Sequence, residues 1–323
     1  MNYFSGEYFG ELQAIALQYV KEHYDYVYLE AMHEKNRMHG AETIIAGSSH
    51  AMNGIVENLL GNAINFSISS QDIYCDFLHI KKAVRQGNQK IKNCIINIGY
   101  YMMYQDLSLS KNLNWMMYKI YGRLFGDMHH YKPDDGKPYD VWGNLQYDRN
   151  VFSDQLVRSL CQEWGRKVFL EQSSYYGPTR SRECNNALTM QGVDWKTLDD
   201  AQRYAFAKER TNDHNRLIQH KESRKENAEL VSEMVEFLYH KKIRTIFLIM
   251  PFTRYYNQMI LPVYKDDIYH MLDELEWPVE LLDLNDGEGI FDDTDFLDTD
   301  HLSLKGAQKA TILLADYISK WEG

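Results

Sequence analysis

Two short stretches, far apart in the sequence, carry residue types suited to acyl chemistry. Gly47-Ser48-Ser49-His50 follows the apolar, β-branched run Thr43-Ile44-Ile45-Ala46, and Asp298-Thr299-Asp300-His301 precedes the last amphipathic stretch. A serine at the carboxyl end of a buried strand, beside the amino end of a helix, sits where an open α/β sheet carries its ligand crevice. A histidine in a loop at the same edge can take the serine proton. Asp298, three residues before His301, can curl back to accept from the second imidazole nitrogen, which fixes the tautomer and stabilises the imidazolium. The expected geometry puts Ser49 Oγ and a His301 ring nitrogen within about 3–4 Å. Asp300 is a rival acid whose adjacency to His301 gives it poorer reach. His50 could contact substrate, although a neighbour on such a turn more often has a structural or solvated role. The plainer reading of the first stretch is a turn with a helix cap, since Gly suits tight turns and Ser suits N-caps.

Other chemistries find less support. Cys75, Cys94, Cys161 and Cys184 are widely spaced, with no zinc-like pattern, and read as reduced or neutral thiols. His129-His130 reads as a solvated loop pair. The acidic run DLNDGEGIFDDTDFLDTD lacks the ligand order of an EF-hand and reads mostly as a solvated loop. No metal and no bound cofactor is expected. A net charge of -11 argues against a nucleic-acid surface, which rests on Lys and Arg. No apolar run is long enough to span a bilayer, and the N-terminal stretch lacks the pattern of a secretory signal. The expected location is therefore cytoplasmic.

The elements that must position these residues follow from apolar patterning. The runs 42–47, 63–68, 94–99, 243–250 and 279–284 are short, β-branched and continuously apolar, as befits parallel strands covered on both faces. Helical patterns lie near 50–60, 72–87, 222–241, 264–275 and 304–320. Strand and helix alternate, so the expected fold is a doubly wound α/β protein with a five-stranded parallel sheet flanked by helices. The interval from Gly99 to Ile243 far exceeds what a crossover needs. It predicts a mainly helical insertion over 107–225, placed as a cap over the sheet edge in an otherwise single domain spanning 1–323. Trp115, Trp142, Trp164 and Trp195 fall there; their faces could hold a sugar or acyl chain, but helical spacing favours core positions. The charged segment RTNDHNRLIQHKESRKENAELVSEMVEFLYHKK reads as a helix leading into the fourth strand. Within it His214 could line a pocket, the plainer reading being a solvated helical face.

Taken together, the two motifs and the strand order resemble the SGNH, or GDSL-type, hydrolase superfamily. Its G-D-S block corresponds to Gly47-Ser48-Ser49, with Ser48 where Asp usually stands, and its D-x-x-H block to Asp298-Thr299-Asp300-His301. The resemblance covers the α/β body from about residue 40 onward, excluding the insertion, and implies a flavodoxin-like sheet and a triad of Ser49, His301 and Asp298 without a cofactor. The family's second-block glycine, an oxyanion donor through its N–H, corresponds to Ser69 or Ser70 in SISSQD. Its third block, G-x-N-D, reads Gly99-Tyr100-Tyr101-Met102, so the Asn donor is missing. Tyr101 is the candidate replacement, with Ser49 and Ser69 or Ser70 supplying backbone donors, and Tyr100 is a candidate substrate contact. Loss of one such donor costs about 100-fold to 1,000-fold in turnover.

The function expected from this resemblance is that of a serine esterase removing a small acyl group, such as acetyl, from a carbohydrate or similar polar metabolite. Two other readings stand beside it. An O-acyltransferase of bacterial surface-glycan assembly would use the same acyl-enzyme with a sugar hydroxyl as acceptor. A non-catalytic glycan-binding protein on the same fold would account for the missing Asn.

Overall fold

The computed structural model describes residues 24–86, 90–132, 195–287 and 289–320. The chain divides into two compact units, one formed by Met1–Met32 with Leu107–Gly192, the other by His33–Asp106 with Val193–Gly323. The interval expected as one insertion therefore splits: residues 107–192 belong to the first unit, and residues 193–225 to the second.

The second unit is built on five parallel strands, β1 (Thr43–Ala46), β2 (Ala63–Asn65), β3 (Asn93–Asn97), β4 (Arg244–Ile249) and β5 (Glu280–Asp283), in the order β2-β1-β3-β4-β5. Every residue of β1, β2 and β3 is buried, which explains their unbroken apolar or neutral sequences. The order reverses between β1 and β3, and a doubly wound sheet opens its ligand crevice at the carboxyl ends of two such strands. Ser49 lies just beyond β1, and Tyr101 just beyond β3.

Helices α1 (Tyr24–His39), α2 (Ser49–Gly54), α3 (Ile73–Arg85), α4 (Asp200–Asn215), α5 (Lys221–His240), α6 (Val263–Asp273) and α7 (Leu304–Ser319) accompany the sheet elements in the chain. Ile45, Ile95 and Leu248 share a core with Ala51 and Ile55 near α2 and with Ala310 and Leu314 of α7. Each Ile or Leu side chain so buried contributes about 1.5–3 kcal/mol. On α3, Asp72 caps the first turn by accepting from the Cys75 N–H at 2.9 Å. Asp199 forms a reciprocal capping box with Gln202 at the start of α4.

Several boundaries differ from expectation. The pattern over 50–60 is two pieces, α2 and a 3-10 turn at Glu57–Leu60. The charged segment before β4 is likewise two helices, α4 and α5, joined by a 3-10 turn at Arg216–Gln219. Helix α1 has no counterpart in the expected elements; its sequence YDYVYLEAMHEKNRMH mixes aromatic and charged residues without a clean apolar stripe.

In the first unit, a π-helical turn at Met117–Tyr121 runs into a helical turn at Gly122–Phe125, and the His129 and His130 rings stack at 3.9 Å. Trp142, Trp164, Cys161 and Cys184 lie outside the described residues. Cys75 and Cys94 are buried, and Trp195 is a core residue. No helix among the described residues is long and apolar enough to cross a membrane.

Candidate active site

Gly47 makes the turn out of β1. Its φ of +153° disfavours a side chain, and a Cβ there would stand 2.6 Å from the Asn97 Cβ on β3. This close approach of two strand ends delivers Ser48 and Ser49 to the start of α2. Ser48 occupies the N-cap position but makes no side-chain cap. The simple capping explanation for the serine pair therefore fails for its first member.

Ser49 Oγ lies 2.8 Å from His301 Nε2, and His301 Nδ1 lies 2.9 Å from Asp298 Oδ2. Asp298 also accepts from the backbone N–H groups of Asp300 at 2.9 Å and His301 at 2.8 Å, so its carboxylate shapes the loop and orients the ring together. A carboxylate can only accept, so the His301 proton sits on Nδ1, and Nε2 presents its lone pair to the Ser49 hydroxyl. Burial opposes the imidazolium, but the charges of Asp298 and then Asp300 outweigh it, and the His301 pKa lies above its usual 6.5.

A second chain of contacts runs alongside the first. His50 Nε2 lies 3.2 Å from Asp300 Oδ2, and His50 Nδ1 lies 3.4 Å from Ser48 Oγ. The His50 ring stacks on that of His301 with centroids 4.9 Å apart. Burial pushes its pKa down despite the bond to Asp300, so His50 is neutral near pH 7, donating to Asp300 and accepting from Ser48. Asp300 in turn accepts from Arg210 Nε at 3.1 and 3.0 Å. Burial opposes the Asp300 charge, yet Arg210 and the two imidazoles hold its pKa well below the usual carboxylate range. Its nearest approach to His301 Nδ1 is 3.7 Å, beyond hydrogen-bond reach.

The remaining expected residues fall into place differently. His50 and His214 are buried, not solvated. His214 Nδ1 meets the Tyr256 hydroxyl at 2.5 Å, and its ring stacks on Tyr101 at 3.7 Å. Tyr101 is buried against His214, with the His50 ring edge-on at 6.2 Å. Tyr100 donates to Asp283 Oδ2 at 3.2 Å and accepts from Asn285 Nδ2 at 3.1 Å. The polar partners of its hydroxyl are the last residue of β5 and a residue of the loop that follows it, so its role is structural as placed. Ser69 and Ser70 are half-buried in the loop after β2. Ser70 adopts a φ of +62°, a left-handed conformation that costs an L-residue about 1–2 kcal/mol and that glycine adopts freely. That marks Ser70, rather than Ser69, as the position where a glycine would sit most easily.

Sequence reasoning missed Arg210. It lies on α4 in a run rich in charges, where an arginine looks like part of a solvated face; only the turn of α4 that buries Ala207, Thr211 and His214 brings it inward. The acidic loop is also less solvated than expected. Asp295 is fully buried, with Lys305 Nζ at 3.0 Å and Lys309 Nζ at 2.9 Å, and Asp292 caps the turn beside it.

His50, Asp300 and His301 are close enough together to be considered as metal ligands. Their donor atoms are already committed: His50 and Arg210 donate to Asp300, and the His301 lone pair faces Ser49. A cation at Asp300 would also meet the Arg210 guanidinium. The set is a hydrogen-bond network suited to moving a proton between Ser49 and His301. Comparison with known proteins adds no family: no protein-family model matches this chain, and no curated protein matches it.

Proposed function

We propose that this protein is a serine esterase of SGNH type that removes a small acyl group, such as acetyl, from a carbohydrate or related polar molecule. The observation that carries the reading is the unbroken chain Ser49–His301–Asp298, with links of 2.8 and 2.9 Å. In this mechanism His301 Nε2 takes the proton of Ser49 as Oγ attacks the ester carbonyl, and Asp298 stabilises the imidazolium. The tetrahedral oxyanion is held by the backbone N–H groups of Ser49 and Ser70. His301 then returns its proton to the leaving alcohol, and water activated by the same nitrogen releases the acid from Ser49.

His50 stacks beside His301 in this reading, and Arg210 holds the Asp300 carboxylate that His50 also meets. The neutral His50 ring fills the space beside the imidazole without adding a charge, and the Asp300 carboxylate supports the imidazolium that forms during attack. The test is hydrolysis of p-nitrophenyl esters of increasing acyl length by the wild-type chain and Ser49→Ala. Wild-type turnover highest on acetate and absent from the variant supports the reading. Equal activity in both chains overturns it. Adding a sugar alcohol to the same assay separates an esterase from an acyltransferase: transfer yields the acylated sugar in place of free acid.

A further inference from the structure

Arg210 uses its guanidinium in an unusual way for a residue whose only task is to neutralise a buried acid. Asp300 is 1% exposed and needs a cation. Arg210 supplies it through a single N–H, since Nε alone reaches both carboxylate oxygens, at 3.1 and 3.0 Å. The planar fork that would engage a carboxylate with two parallel bonds is not used here. Among the described residues no hydrogen bond engages Nη1 or Nη2, and the Arg210 side chain remains 38% exposed. The guanidinium nevertheless belongs to the site: its charge acts on Asp300, Tyr101 and Asp298, and on the imidazoles of His50, His214 and His301.

Nη1 and Nη2 thus carry a pair of N–H donors that a guanidinium can direct at two oxygens of one oxyanion, on a side chain that is partly exposed. An acyl chain would leave that capacity unused, and a neutral sugar hydroxyl would engage it without the charge-assisted, two-oxygen geometry that an oxyanion offers. We infer that Arg210 is a specificity residue, which binds a carboxylate or phosphoryl group on the substrate near the ester that Ser49 attacks. The inference rests on the esterase reading for its position in a reaction, and it narrows the substrate class to acidic esters. Asp298 and Asp300 oppose an anion here, so the preference is set by the directed bonds more than by net charge. A charge-assisted pair of hydrogen bonds supports a preference of about ten-fold or more.

The acetyl esters of 3- and 4-hydroxybenzoate, each compared with its uncharged methyl ester, read this directly. In the wild-type chain at least one carboxylate should show a KM about ten-fold below its methyl ester. In Arg210→Gln the ratio should fall to about one, whatever the absolute activity; Arg210→Lys, which keeps a charge but loses the planar donor pair, should retain only part of it. Calorimetry with the free 3- and 4-hydroxybenzoates, their methyl esters and phenyl phosphate reads the same site without turnover. It separates failure of this inference from failure of the esterase reading, and it distinguishes a carboxylate from a phosphate ligand. Wild-type protein that favours the uncharged compounds in both experiments overturns the inference even if the variants do not fold. So does a preference that survives unchanged in Arg210→Gln.

Discussion

Replacing Asp300 by Asn separates charge from orientation at His301. Asp300 stands 3.7 Å from His301 Nδ1, whereas Asp298 holds that nitrogen at 2.9 Å, so the ring should keep its place while its electrostatics change. Two unit charges 3.7 Å apart interact by about 4.5 kcal/mol at an effective permittivity near 20, which sets a ceiling of roughly three pKa units. Relaxation and water entry reduce this, and a fall of about one to two units is expected. The native His301 pKa lies above 6.5, so the base form develops at a higher pH than in a free imidazole. In Asp300→Asn it develops at lower pH. The acid limb of kcat/KM for p-nitrophenyl acetate, followed from about pH 5 to 9, should therefore move down by about one to two units, with the plateau reduced by less than about ten-fold. Asp298→Asn should behave differently: its amide can present an N–H to Nδ1, stabilise the wrong tautomer and lower the plateau by about 10,000-fold. An acid limb that stays in place or moves up in Asp300→Asn would refute the reasoning. A plateau loss as large as that of Asp298→Asn would make Asp300 the orienting acid.

Gly47→Ala should lower stability by about 2 kcal/mol or more, because its Cβ would stand 2.6 Å from the Asn97 Cβ in a backbone conformation that disfavours side chains; an unchanged urea midpoint contradicts this. Tyr101→Phe should keep kcat within about three-fold, since the ring is placed to stack on His214, whereas a loss of about 100-fold would assign its hydroxyl to the oxyanion. The buried pair His33 and His79, bonded at 2.9 Å, should make the fold acid-sensitive. Burial, aided by Lys82, pushes the His33 pKa from 6.5 down to about 3. The unfolded chain thus binds a proton in that window that the native chain does not, and stability is full above about 6.5 and falls as pH drops. Urea unfolding at pH 5 should show a loss relative to pH 7 to which His33 alone contributes about 2 kcal/mol, the buried His79, His50 and His214 adding to it in the same direction, and a flat or opposite trend contradicts the assignment.

The sheet was legible because parallel strands buried on both faces must be apolar throughout, and Thr43–Ala46 and Arg244–Ile249 show this almost without interruption. The link between His301 and Asp298 was legible for a local reason, since three residues of loop suffice to turn a carboxylate back onto a ring. Arg210 was not, because its partner is 90 residues away and nothing in its own helix signals the pairing. The break between α4 and α5 was hidden as well: Arg216–Gln219 contains neither Gly nor Pro, and the helix ends through a tightened turn. His214 looked like part of a solvated helical face, and His50 like a structural or solvated neighbour of the serine. Their burial depends on partners at Asp300 and Tyr256, which only the tertiary fold supplies.

The proposed esterase chemistry requires Ser49 to be an activated nucleophile. Treating the chain with a fluorophosphonate and mapping the adduct by peptide mass spectrometry tests this without knowledge of the substrate. The expected result is one adduct on Ser49, formed faster as pH rises through the His301 titration and lost in Ser49→Ala and His301→Ala. An unlabelled wild-type chain, or an adduct carried by Ser48 instead, would contradict the account.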